Sequence, residues 1–111
     1  MVIWTDNAIS HITDFIDDSK YNVEENSKLY MRKLVDYADT LDAMPDLGKK
    51  VDNNIFRYQI NQLIYKKHKI IYHKKENDIV ILAVLHTRLD INRALKKLKR
   101  DISWKNNLFK V

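Results

Sequence analysis

The stretch ILAVLHTRLDINRAL, Ile81–Leu95, decides how this chain folds. It opens inside an unbroken apolar run, Ile79 to Leu85, which has the pattern of a strand covered on both faces. The run stops at His86-Thr87-Arg88, and from Asp90 the period becomes helical. Ile91, Ala94, Leu95, Leu98 and Ile102 then fall on one side, with Arg93, Lys96, Lys97, Lys99 and Arg100 on the other. Asp90 is placed to cap that helix. An imidazole and a guanidinium therefore stand where the most hydrophobic strand of the chain reaches the surface.

Upstream of this strand lies a polar turn, Glu76 to Asp78, and before it YKKHKIIYHKK, where Ile70 and Tyr72 alternate with Lys69, Ile71 and His73. Earlier still, Phe56, Tyr58 and Ile60 alternate with Arg57, Gln59 and Asn61. Three such runs with short connections predict an antiparallel meander. The N-terminal half has a different period. After a β-favouring Val2–Trp4, Thr5 or Asp6 caps a helix with the stripe Ala8, Ile9, Ile12, Phe15 and Ile16, broken at Asp17, Asp18 and Ser19. Asn22 and Glu25 have the N-cap and N3 spacing of a second helix. Its stripe is Val23, Tyr30, Met31, Leu34, Ala38 and Leu41, and it ends before Pro45. The expectation is an α+β fold: an N-terminal antiparallel helix hairpin packed on a small, mainly antiparallel twisted sheet, with a C-terminal basic helix. The 111 residues form one domain, in which roughly 99–111 read as a C-terminal extension.

Composition narrows the class of partner. With 45% hydrophobic and 32% charged residues, the chain is an ordinary globular domain. Its longest apolar run falls far short of the ~18 residues that a membrane span needs. Zero cysteines leave no disulfide scaffold and no thiolate metal site, and fit a reducing cytoplasm. Charge is split along the chain: residues 1–48 hold 4 Lys/Arg against 10 Asp/Glu, residues 49–111 hold 16 against 5. A net of −6 beside a net of +11 points to a basic face and an anionic partner.

Signatures of nucleotide-binding loops, α/β-hydrolases and zinc proteases do not occur in the sequence. His11 reads as a helix-surface residue; His68 and His73 sit among lysines, which disfavours a metal cation. His86 and Arg88 stand at a strand end, where a sheet can aim side chains at a concave edge. Arg57 and Lys69 occupy the polar faces of the other two strands, so the four are expected to cluster on one side of the sheet. With Tyr72 or Tyr58 they would supply metal-free RNA cleavage: His or Tyr to move protons, Arg and Lys to stabilise charge on phosphate. The alternative leaves Arg88 paired with Asp90 or capping carbonyls, and Tyr72 in the core.

The order VIWTDNA, a helix pair, MPDLGKK, FRYQI, HKIIY and VILAVLHTRLDI resembles the RelE/ParE superfamily of toxins from bacterial toxin–antitoxin modules, over nearly the whole chain to about Leu98. The resemblance rests on Trp4-Thr5 with Ala8, Pro45 to Gly48, Arg57-Tyr58, and His86, Arg88 and Asp90. It implies an acidic antitoxin of the ParD or RelB kind as partner, received as a strand or helix on an exposed edge or apolar groove. RelE-like members cut ribosome-bound mRNA; ParE-like members poison DNA gyrase without catalysis of their own. VLHTRLDI and FRYQI…HKIIY resemble ParE, whereas Gln59 stands where RelE-like strands place a second basic residue, and the last helix has no tyrosine.

The resulting expectation is a cytoplasmic toxin, in hetero-oligomer with its antitoxin, that poisons gyrase or a related topoisomerase through Arg57, Lys69, His86 and Arg88, without a metal or cofactor. Lys96, Lys97, Lys99 and Arg100 are the candidates to face phosphates. The alternatives are a ribosome-dependent endoribonuclease using Arg57, Lys69, Tyr72, His86 and Arg88, and a non-toxic binding protein of the same fold. Trp104, Leu108 and Phe109 are expected to pack rather than to bind.

Overall fold

The computed structural model describes residues 1–18 and 24–105. It runs β1 (Val2–Trp4), α1 (Asp6–Asp17), α2 (Glu24–Asp39), β2 (Lys49–Val51), β3 (Ile60–Tyr65), β4 (His68–Lys75), β5 (Asp78–His86) and α3 (Ile91–Lys105), with one 3₁₀ turn, Thr40–Asp42, closing α2. The strands make one sheet in the order β1-β5-β4-β3-β2; β1 lies parallel to β5 and every other pair is antiparallel. The expected meander is β3-β4-β5. Its tight turns put Lys66 (φ 50°) and Glu76 (φ 56°) in the left-handed region.

Both faces of the sheet are covered. On one, Ala8 of α1 and Met31, Leu34 and Ala38 of α2 pack with Leu63, Ile70, Tyr72, Ile79, Ile81 and Val84. On the other, Leu95 and Leu98 of α3 pack with Val51, Ile60, Ile71, Val80, Leu82 and Ala83. This is why the Ile79–Leu85 run could not alternate: each residue type had to be apolar for one face or the other. Strict alternation also fails at a bulge. Ile71 pairs with Ala83 and Tyr72 with Ile81, so Leu82 is the extra residue and turns to the α3 face with Ala83.

Helix ends follow the sequence. The Thr5 hydroxyl accepts from Ala8 N at 3.1 Å, and Asp90 Oδ1 accepts from Asn92 N at 3.0 Å and Arg93 N at 3.4 Å. Ile12, Phe15 and Ile16 line the first core as expected, but Ile9 is 48% exposed. Among the described residues, no helix is long and apolar enough to cross a membrane. Residues 19–23, with the Asn22 cap, Val23 and the connection that would complete a hairpin, lie outside the described residues. So do residues 106–111, with Leu108 and Phe109, and the side chains of Glu25, Ile102 and Trp104.

Two strand assignments change. The run from Phe56 is not a strand: Asn53 Oδ1 accepts from Ile55 N at 3.1 Å and from Phe56 N at 2.7 Å, committing those amides to a local turn. Pairing starts only at Ile60, while Phe56 and Tyr58 pack into the second core from a loop. The stretch MPDLGKK, to which no strand was assigned, supplies the start of the edge strand β2 in its last residues.

Gly48 is required by close approach. A Cβ there would sit 2.6 Å from Gln62 O and 2.8 Å from Tyr72 Cε1, and against Tyr72 Oη, which itself donates to Pro45 O at 3.3 Å. The Gln62 carbonyl is fixed by the sheet and cannot retreat. Gly48→Ala is expected to destabilise the fold by about 1–3 kcal/mol through overpacking, read as a thermal midpoint lower by roughly 4–8 °C per kcal/mol. An unchanged midpoint would mean that the β2 approach is slack.

Candidate functional site

β1 and β5 differ in length, and the site grows from that difference. β1 covers only Ile79–Ile81 of β5, which continues to His86. Thr87 N donates to Lys67 O at 2.8 Å, so 83, 85 and 87 turn their backbone groups toward β4 while 84 and 86 point to the uncovered edge. Buried backbone groups need partners, and α1 provides side chains in place of a strand. Asn7 Nδ2 donates to Leu82 O at 3.0 Å, and Val84 N donates to His11 Nδ1 at 3.1 Å. His11 is therefore not the surface residue expected. The signal was its i, i+4 spacing from Asn7, which puts two short polar side chains on the inner face of α1.

Beyond β1 the sheet edge opens into a groove of about 960 Å³ between α1 and α3. Phe15, Met31, Val84, Leu85 and Leu89 supply apolar lining; Asp14 and Asp18 stand on the α1 side, and Arg93, Lys96, Lys97 and Arg100 on the α3 side. His68 and His86 join them. They are directly opposed across β4 and β5, with ring centroids 5.7 Å apart. Buried His68 also meets Phe15 edge-on at 5.0 Å and has Nδ1 2.8 Å from Tyr30 Oη, so one imidazole links α1, α2 and two strands. His86 Nδ1 accepts from Arg88 N at 3.1 Å, which fixes the turn after β5.

The expected cluster on one side of the sheet is not formed. His86 shares the α1/α2 face with His68, whereas Lys69, one residue along β4, belongs to the α3 face opposite Leu85. Lys69 Nζ still reaches the turn after β5, donating to Leu89 O at 3.4 Å. Arg88 is exposed in that turn, and Arg57 is exposed on the loop before β3, not on a strand face. Tyr72 is fully buried among core side chains, and burial raises its hydroxyl above the ordinary tyrosine range. Tyr58 packs against His73 with ring centroids 4.0 Å apart and the planes tilted by 42°. Of the helix cations, Lys96, Lys97 and Arg100 line the groove with Arg93, while Lys99 Nζ donates to Ile55 O at 2.8 Å and ties α3 to the loop.

Two helices on one face of a five-stranded sheet, a basic helix on the other and a groove where β5 ends make a fold of the RelE/ParE toxin class. Residues 2–91 match the family model of the ParE toxin of type II toxin-antitoxin system, parDE, and the chain belongs to that family. It is thus a ParE-type toxin of a type II toxin–antitoxin system. Among solved structures, a chain of the chromosomal ParDE TA system from P. aeruginosa superposes with a TM-score of 0.64 at 16% identity, covering 77% of this chain and 92% of that one. At that identity the likeness is one of fold. A comparison with curated proteins gives no match.

The buried imidazoles make stability depend on pH. Burial lowers His68 below its ordinary value, and neighbouring His86 adds to the effect. Burial likewise lowers His73, helped by Lys75 and opposed by the Gln59 carbonyl; its Nδ1 lies 3.1 Å from Gln59 O, while buried Nε2 has no hydrogen-bond partner among the described residues. The unfolded chain takes up these protons near pH ~6.5, the folded chain only below it. Stability is therefore complete above about pH 6.5 and declines as pH falls from there toward the folded-state values. Urea midpoints measured between about pH 8 and about pH 5 should trace that fall, and His73→Phe should flatten part of it. A level wild-type profile is the result that contradicts it.

Proposed function

We propose that this toxin arrests growth by binding and poisoning DNA gyrase or a related topoisomerase, and that an acidic antitoxin neutralises it by occupying the groove between α1 and α3. The observation that carries the non-catalytic reading is the separation of the candidate groups for RNA cleavage. His86 lies on one face of the sheet, Lys69 on the other, Arg57 on the loop before β3, and Tyr72 inside the core. General acid–base work on one phosphate needs its groups within hydrogen-bond reach of the same atoms. Docking does not: a protein target can be gripped by charges spread along a rim. The turn His86–Asp90, with Arg88 exposed and Lys69 held beside it, is that rim.

The antitoxin reading draws support from the groove itself. Its apolar lining and the cationic side of α3 suit an acidic amphipathic segment, entering as a helix or along the open edge of β5. The P. aeruginosa chain belongs to a chromosomal ParDE TA system, which supports an antitoxin partner for this chain. Lys96, Lys97 and Arg100 would then face carboxylates in the complex, or phosphates when the toxin is free.

A supercoiling assay with purified protein, DNA gyrase, plasmid and ATP tests the target. Lost supercoiling with accumulation of linear plasmid is expected, and His86→Ala with Arg88→Ala should raise the concentration required by about tenfold or more. Unaffected supercoiling at concentrations that still stop growth would overturn the reading and make cleavage of ribosome-bound mRNA the next assay.

A further inference from the structure

The charges of the groove nearly cancel. Among the described residues it is lined by four aspartates, Asp14, Asp18, Asp90 and Asp101, and by four cations, Arg93, Lys96, Lys97 and Arg100. The sign of its field is therefore left to its histidines, His11, His68 and His86. Two of them are committed to the backbone. His11 Nδ1 accepts from Val84 N and His86 Nδ1 accepts from Arg88 N, each at 3.1 Å, so both rings are engaged with the main chain.

His68 is different. Tyr30 Oη, 2.8 Å from its Nδ1, is also 3.4 Å from Tyr65 O. The hydroxyl can accept from an Nδ1–H while sending its own hydrogen to that carbonyl, so the imidazolium keeps its partner. The groups around His68 are Tyr30 from α2, Tyr65 from β3, His86 from β5, Phe15 from α1, and Lys67 in the turn before β4. Asp14 and Asp18 stand on the α1 side of the same groove, and the cationic side of α3 faces them. In the free protein, burial and the second imidazole favour the neutral ring. A carboxylate brought into the groove reverses that balance, because a nearby negative charge with little water around it favours the imidazolium.

We propose that the groove is a proton-linked site for an acidic amphipathic segment, in which a carboxylate of the partner draws a proton onto His68 as it binds. This rests on the antitoxin reading of the groove and adds to it a dependence of affinity on pH. Charge complementarity selects the occupant: the apolar lining takes hydrophobic side chains, α3 takes carboxylates, and His68 supplies the additional positive charge only when they arrive. Binding then takes up a proton, and affinity rises as pH falls through the histidine range.

The probe is a fluorescein-labelled synthetic peptide with leucines at helical spacing and glutamates between them, titrated with the full chain and followed by anisotropy. Between about pH 8 and about pH 6 the glutamates stay ionised, since their ordinary pKa is ~4.3. Kd is expected to fall about three- to tenfold over that range, the change that partial uptake of one proton produces. His68→Phe keeps a ring against Phe15 and Tyr30; whatever its affinity at the higher pH, it should lose the pH dependence. Binding that is intact but level with pH would overturn the proton linkage and leave the groove reading standing. Absence of binding at every pH would remove both. Undiminished pH dependence in His68→Phe would assign the proton elsewhere. Nitrogen NMR of the histidine rings in the unmodified chain decides independently of any variant: at neutral pH, added peptide must move the His68 signal toward imidazolium, and an unmoved signal refutes the proposal.

Discussion

A strand of three residues laid against a strand of nine leaves an edge, and everything distinctive about this protein follows from how that edge is handled. β1 satisfies the backbone of β5 as far as Ile81, where Thr5 N donates to Ile81 O at 3.2 Å. At that point the chain turns into α1 instead of extending the ladder. Asn7 and His11 then supply the hydrogen bonds that further strand would have made. The arrangement is economical because each side chain satisfies one orphan group from within a helix that the core needs anyway. It also stops short of the end of β5, so the sheet's rim is left as the floor of a groove rather than buried beneath another strand.

The bulge opposite Ile71 and Tyr72 governs what lies on that floor. Without the extra residue at Leu82, strict alternation from Ile81 would carry Ala83 and Leu85 to the α1/α2 face, and His86 to the other. The bulge shifts the phase by one, and His86 comes to lie beside His68 under Phe15 and Tyr30. Lys69, on β4, keeps its place on the α3 face and meets the same turn at Leu89 O. One irregularity in a ladder thus separates a cationic group from an imidazole that a regular strand would have placed on a common face.

Much of this was legible in the residues. The change of period at Asp90, the apolar run before it and the alternation around Ile70 and Tyr72 report burial directly, and burial dominates the energy of those elements. Thr5 and Asp90 were readable as caps for a similar reason: the partner of the side chain lies within three residues. What escaped was decided by competition or by distance. Phe56-Arg57-Tyr58 alternates like a strand, but the Asn53 side chain claims the amides first. β2 is three residues at an edge, too short for any period to show. His11 looked like an ordinary polar residue of a helix because its partner, Val84, lies 73 positions away. The bulge leaves no mark in a run where every residue is apolar, so the faces of His86 and Lys69 could not be separated by eye.

The parallel pairing of β1 with β5 carries a consequence in time as well as in space. Thr5 and Leu82, which meet in the structure, are 77 positions apart, and the chain between them contains every other strand of the sheet. Closing so long a loop costs entropy that is offset only after the meander has created the surface onto which β1 docks. During synthesis the first strand must wait, unpaired, until nearly the last strand has emerged, and α1 cannot take up its place beside the groove before then. An interrupted product lacking β5 therefore loses the N-terminal strand's partner, both helix-borne edge hydrogen bonds and the groove floor together. The groove is thus tied by topology to the last strand of the sheet, and forms only after that strand has been made.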